Sequence, residues 1–200
     1  MNEIEDKIYK VFKANNGYAR TKNITDAGIY NIYLDRLLED GRIEKIKRGL
    51  YRWVGMNETS HQGIVDVSKA IPGGVVCLLS ALSFYNLTAA KPMEVSIAVS
   101  KKRKVVKPDY PPTKIYYFMD NMFKAGVEEQ RIGKVTVLMY DREKTICDCI
   151  KYRNQLGMDI IKEALHEYLK NTSRNLELLM KYAEVCKVKP VLKNYLEVMV

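Results

Sequence analysis

Residues 42–53 read Arg42-Ile43-Glu44-Lys45-Ile46-Lys47-Arg48-Gly49-Leu50-Tyr51-Arg52-Trp53. The first six alternate at the strand period, Arg48-Gly49 supplies a turn, and Leu50-Tyr51-Arg52-Trp53 returns, so the stretch predicts a basic β-hairpin. Upstream, Tyr33, Leu34, Leu37 and Leu38 share one stripe of a helix predicted over residues 30–40, which Gly41 ends. Tyr18-Ala19-Arg20-Thr21 leads into a short helix over 21–27, closed by Gly28. Ile4, Ile8, Val11 and Phe12 recur at helical spacing over 3–14, and Asn15-Asn16-Gly17 stops that helix because Asn and Gly take the left-handed conformation readily. Three short helices followed by a basic hairpin predict a winged helix-turn-helix over residues 1–54.

That geometry carries a chemistry. The later helix of such a pair can enter a DNA major groove, with its N-terminal side chains reaching base edges. Once the leucine stripe faces a core, Asn31, Ile32, Asp35 and Arg36 are left outside. Asn31 suits adenine, and Arg36 suits guanine or a phosphate. Lys45, Lys47 and Arg48 on the hairpin would lie against backbone phosphate, joined by Arg20 and Thr21 at the entry to the second helix. Winged helices also serve as protein-interaction modules, and residues 1–53 carry 11 basic against 8 acidic side chains, a net of only +3. The basic hairpin favours double-stranded DNA as the partner.

Over the whole chain, 33 Lys and Arg against 24 Asp and Glu give a formal charge of +9, enough to attract a polyanion. With 47% hydrophobic and 28% charged residues among 200, the composition is that of a globular protein able to bury a core. No apolar run approaches the roughly 18 residues of a membrane span. The start, Met1-Asn2-Glu3-Ile4-Glu5-Asp6, is acidic and lacks the apolar stretch of a secretory signal. Four cysteines without a framework spacing suit a reducing compartment, so a cytoplasmic location is expected.

Met56-Asn57-Glu58-Thr59 is a short polar joint, which predicts a boundary at 54–58 and a second domain over 58–200. There the patterns predict a helix over 59–70, a strand over 75–77 and a helix over 79–85. Strands follow over 94–99 and 114–119, with a hairpin over 127–132 and 134–139 around Gly133. Asp141 is placed to cap a helix, and further helices are predicted over 159–170, 174–186 and 190–199. The fold class is α/β (α+β): a winged helix-turn-helix, then a small mixed sheet flanked by helices with a helical C-terminal tail. Lys101-Lys102-Arg103-Lys104 forms a second basic cluster, held out of helix and sheet by Pro108, Pro111 and Pro112. It suits an accessory DNA contact, an antagonist surface towards a partner, or a merely solvated loop.

Catalytic patterns do not emerge. His61 and His166 each stand alone on a predicted helix, and no Gly-x-Ser-x-Gly elbow exists, which leaves Ser80 and Ser83 to packing or capping. Pro72-Gly73-Gly74 lacks the Lys-Ser/Thr of a phosphate-cradling loop. Cys147-x-Cys149 has the wrong spacing for zinc and no second pair. The Gly-Ser and Asp-x-Asp of a nucleotidyltransferase occur nowhere, and Pro108-Asp109 is not followed by the Glu-x-Lys strand of a nuclease. No catalytic residue, metal or cofactor is expected, and the chain reads as a non-enzyme.

Three ordered segments carry a resemblance. The first comprises Ile24-Thr25-Asp26-Ala27-Gly28-Ile29, Tyr33-Leu34-Asp35-Arg36-Leu37 and Gly41–Tyr51, with its Arg48-Gly49-Leu50-Tyr51 wing. The second is Pro72-Gly73-Gly74-Val75-Val76-Cys77-Leu78-Leu79-Ser80-Ala81-Leu82, and the third is Asp141-Arg142-Glu143-Lys144-Thr145-Ile146-Cys147-Asp148-Cys149-Ile150. Together they resemble the AbiEi-like antitoxins of the abortive-infection AbiE toxin–antitoxin systems, over most of the chain to about residue 155. Where relatives often have His, position 78 is Leu, which argues against chemistry there. The resemblance implies that the winged helix binds inverted repeats in its own promoter and represses its operon. It further implies that the second domain counteracts a cognate nucleotidyltransferase-like toxin, in a family grouped with systems that lack a stable complex. The alternatives are a plain winged-helix transcriptional regulator with an orphan interaction domain, or a DNA-processing enzyme targeted by the winged helix.

Overall fold

The computed structural model describes residues 3–199. The N-terminal unit runs α1 (Glu3–Ala14), β1 (Tyr18–Arg20), α2 (Thr21–Asp26), α3 (Ile32–Glu39), β2 (Ile43–Lys47) and β3 (Leu50–Trp53). Its apolar stripes meet in one small core of Ile8, Phe12, Ile24, Leu34, Leu37, Ile43 and Trp53. The Trp53 ring is packed edge-on by Tyr9 and Phe12. β1 is the element that periodicity does not announce, because three residues are too few to show a pattern. It extends the hairpin to an antiparallel sheet of order β1-β3-β2, pairing Tyr18 with Arg52 and Arg20 with Leu50.

The remaining chain continues α4 (Gln62–Ala70), β4 (Val75–Val76), α5 (Leu78–Phe84), β5 (Val95–Ser100), β6 (Thr113–Phe118), α6 (Asp120–Lys124), β7 (Val127–Ile132) and β8 (Val135–Tyr140). α7 (Arg142–Lys151), α8 (Arg153–Leu156), α9 (Met158–Lys170), α10 (Leu176–Val185) and α11 (Lys189–Met199) close it. The strands form a mixed sheet of order β6-β5-β4-β8-β7, in which β5–β6 and β4–β8 run parallel and the other neighbours antiparallel. A short helix, α6, lies in the connection between β6 and β7. Asp141 caps α7, its carboxylate accepting from the Lys144 amide at 2.7 Å.

The centre of the sheet is buried on both faces: Val95–Val99 of β5 are all buried, although Glu94 to Val99 alternates in sequence. One face carries Val75, Ala98, Tyr116, Phe118 and Tyr140 against α5, α7, α9 and α10. The other carries Val76, Ile97, Val99, Val137 and Met139 against Ile64, Val65 and Val67 of α4, and that cluster also takes in Tyr18, Ile46 and Leu50 from the N-terminal unit.

α7 lies so deep that it buries an ion pair. Lys144 Nζ donates to both carboxylate oxygens of Asp148 at 2.6 Å, one turn along the helix, and neither side chain is exposed. The ammonium also sits 4.1 Å from the centre of the Tyr140 ring, and Cys186 Sγ lies 3.3 Å from Asp148 Oδ1. Burial pushes the Asp148 carboxyl up to about 6 against the opposing pull of Lys144. A pair so placed contributes little net stability, yet breaking one half leaves a buried charge uncompensated. D148N should therefore lower the unfolding free energy in urea by about 3–5 kcal/mol, and the double change K144M/D148L should recover most of that loss.

Candidate nucleic-acid interface

α3 turns Leu34 and Leu37 inward and leaves Ile32, Asp35, Arg36 and Glu39 outside, the spacing of one helical stripe. Asn31 precedes the helix in a helical conformation (φ −60°, ψ −26°) and makes no capping bond with its side chain. Tyr30 and Ile32 flank it, 79% and 71% exposed. Arg20 is exposed at the entry to α2 and Thr21 half-buried behind it, close to the Gly49 turn. Beside Arg20 lies a groove of about 370 Å³ lined by Asn15, Asn16, Asn23 and Lys69, so the surface next to α2 is polar and basic.

The hairpin departs from simple alternation at one residue. Lys45 pairs with Tyr51 and Lys47 with Leu50, so two steps on β2 match one on β3, and Ile46 is the extra residue of a bulge. Strict alternation would set Lys45 and Lys47 side by side. The bulge separates them: Lys45 and Arg48 are exposed, whereas the Lys47 ammonium donates to the carbonyl of Ala70 at the end of α4. Burial lowers the Lys47 pKa, with Arg20 and Arg103 adding repulsion. Gly49, at φ +73°, makes the turn in the left-handed region that a side chain disfavours.

The second basic cluster is divided rather than held as one patch. Lys102 pairs with Asp120 at 2.6 Å, and Arg103 donates to the carbonyl of Pro72 at 2.7 Å. Lys101 and Lys104 are exposed. Lys47 and Arg103 thus both bind carbonyls at the C-terminal end of α4, where cations complement the helix dipole. Of the cationic side chains singled out from sequence, Arg20, Arg36, Lys45 and Arg48 share the N-terminal unit's exposed surface, while Lys47 and Arg103 tie the chain to itself.

The polar joint predicts two separate cores, but one apolar cluster crosses it, and a buried polar cluster accompanies that crossing. Tyr18 donates to Asp66 Oδ1 at 2.5 Å, and Gln62 donates to Tyr18 Oη and to Asp66 Oδ1 at 2.7 and 3.1 Å. Arg52 pairs with Glu44 at 2.5 Å and sets its Nε 3.5 Å from Asp66. Asp66 is 1% exposed; burial raises its pKa, while the Tyr18 and Gln62 hydrogen bonds and Arg52 oppose the rise. Asp109 and Tyr110 amides add bonds to the Ile46 carbonyl. Sequence reading missed this cluster. Its signal was Asp66, a lone charge inside the apolar run Ile64-Val65-Asp66-Val67.

The remaining candidates for chemistry fall elsewhere. His61 stacks near Phe84 at 5.1 Å at the start of α4, and His166 is exposed on α9. Ser80 Oγ accepts from the Ser96 amide at 2.9 Å. Cys77, Cys147, Cys149 and Cys186 are buried thiols whose pKa values burial pushes up, Cys186 to about 12. Leu78 is fully buried at φ +48° in the tight turn from β4 into α5 and brings no polar group there. Among the described residues no helix is long and apolar enough to cross a membrane.

Comparison with known proteins bears on the N-terminal unit alone. Residues 6–54 match a family model described as transcriptional regulator, AbiEi antitoxin, a family of regulators rather than enzymes. The match begins inside α1 and ends just past β3. No curated protein matches the chain.

The buried cluster around Asp66 generates a stability test. D66A removes the acceptor of Tyr18 and Gln62 and leaves Arg52 with less compensation, so it should cost about 3 kcal/mol in urea unfolding. Y18F, which deletes the hydrogen bond to the Asp66 carboxylate and the one accepted from Gln62, should cost about 1.5–3 kcal/mol. Limited proteolysis should cut D66A faster within 54–61 than the wild-type chain.

Proposed function

We propose that this protein is a DNA-binding antitoxin of the AbiEi kind that represses its own operon. Residues 1–54 act as a winged helix, with α3 in the major groove of inverted repeats and the β2–β3 hairpin along the backbone. The observation that carries this reading is the match of residues 6–54 to the antitoxin regulator model, on a unit whose outer surface presents Arg20, Asn31, Arg36, Lys45 and Arg48. Asn31 makes no capping bond, which leaves its amide available for an adenine edge. Arg36, one turn beyond Ile32, reaches guanine or phosphate. Lys101 and Lys104 supply auxiliary contact on the second basic loop.

Residues 58–200 counteract a nucleotidyltransferase-like toxin in the cytoplasm, without a stable complex with it. Because the Asp66 cluster and the shared apolar cluster bind the two parts of the chain together, they work as one body rather than as beads on a tether. Rescue is therefore tested with the full chain, co-expressed with the product of the neighbouring reading frame. Survival of the host cells supports the antitoxin role, and continued growth arrest contradicts it.

The hairpin gives the sharper test. Removing one cation from a phosphate should lower the slope of log affinity against log salt by about 0.9. In gel-shift titrations at several salt concentrations, K45A and R48A should each flatten the slope by that amount. K47A should leave it nearly unchanged, since that ammonium is committed to the Ala70 carbonyl. An unaltered slope in K45A/R48A contradicts the placement of the hairpin on phosphate.

A further inference from the structure

The outer stripe of α3 is a poor phosphate binder. Ile32, Asp35, Arg36 and Glu39 face outward, two acids against one base, and Asp40 follows directly. Attraction to a polyanion therefore comes from the exposed cations around the helix, Arg20, Lys45 and Arg48, together with Arg36. Ile32, 71% exposed, is the apolar member of a stripe whose other members are charged, and it follows Asn31 at the start of α3. That is the end of the helix which the DNA-binding reading directs at base edges. A β-branched residue also gains nothing as a helix former on a solvent-facing first turn.

We infer that Ile32 reads the C5-methyl group of a thymine in the major groove. This inference rests on the DNA-binding reading above and names what that reading leaves open, the base preference at the start of α3. The thymine methyl is the one apolar feature that the major-groove edge of a base pair offers, and side-chain methyl groups recognise it by excluding water. Asn31, next to Ile32, is matched to adenine, so the start of α3 selects A·T pairs. The net charge of +3 over residues 1–53, with Arg20, Arg36, Lys45 and Arg48 exposed, favours a polyanion as the occupant.

The test uses the full chain and duplexes enriched by it from a random-sequence pool, in which single thymines are replaced by deoxyuridine, a change that removes only the methyl group. At one thymine position in each half-site, the wild-type chain should bind the deoxyuridine duplex about fourfold more weakly, the equivalent of about 0.8 kcal/mol for one buried methyl group. I32A should bind the two duplexes equally while keeping the wild-type salt slope, and its melting temperature should be unchanged because the side chain is exposed. If no deoxyuridine substitution weakens the wild-type chain, or if I32A loses as much as the wild type does, the assignment is overturned while DNA binding stands. If I32A instead shifts the oligomeric state in sedimentation, with no methyl effect, Ile32 is a contact between copies and the assignment fails. If no sequence is enriched and no duplex is bound, the DNA-binding reading falls and this inference with it.

Discussion

The bulge at Ile46 divides the cations of a five-residue strand that packs into two cores. Ile43, near its start, packs with Leu34, Leu37 and Trp53 inside the N-terminal unit. Ile46, three residues on, packs with Ile64, Val65 and Val67 of α4 and with the second face of the large sheet. Side chains three apart point to opposite faces of a thin sheet, so Ile43 and Ile46 reach both cores, but in a regular strand Lys45 and Lys47 would share a side. The extra residue turns Lys47 inward onto α4 and leaves Lys45 and Arg48 in solvent. The geometry of the basic surface follows from that single insertion.

The N-terminal unit is fixed to the rest of the chain through this strand and its neighbours. Apolar burial of Tyr18, Ile46 and Leu50 supplies the adhesion, and the Tyr18–Asp66–Gln62 bonds with Arg52 supply direction. The buried carboxylate is costly unless each of these partners is in place, so the cluster tolerates one relative placement and penalises others. The Lys47 bond to the Ala70 carbonyl at the end of α4 adds to that selection.

Much of this was legible in the sequence, and the exceptions have physical causes. The leucine stripe of α3, the Gly41 and Gly49 breaks and the Asp141 cap all act through neighbours a few residues away, so their local pattern sufficed to place α3, the hairpin and α7. β1 exists only because β3 lies beside it, and three residues carry no period of their own. The inward turn of Lys47 required knowledge of the register with Leu50 and of the Ala70 carbonyl that receives it, more than twenty residues later. The split of the 101–104 cluster depends on Asp120 and Pro72, both distant in sequence. Charge counting placed cations correctly on the surface of the hairpin and loop but had no means of telling those that face solvent from those that bind the chain's own carbonyls.

Lysine reactivity mapped by acetylation and mass spectrometry, with and without bound duplex, separates the two sides of the bulged strand. Lys45 should react fast in the free protein and slow down when DNA is bound, whereas Lys47 should be slow in both states because its ammonium is already held at the end of α4. If Lys47 reacts as fast as Lys45 in the free protein and is protected equally by DNA, the two lysines share one face. The bulge would then not turn the strand, and the division of the hairpin into a DNA-facing side and an inward side would be wrong.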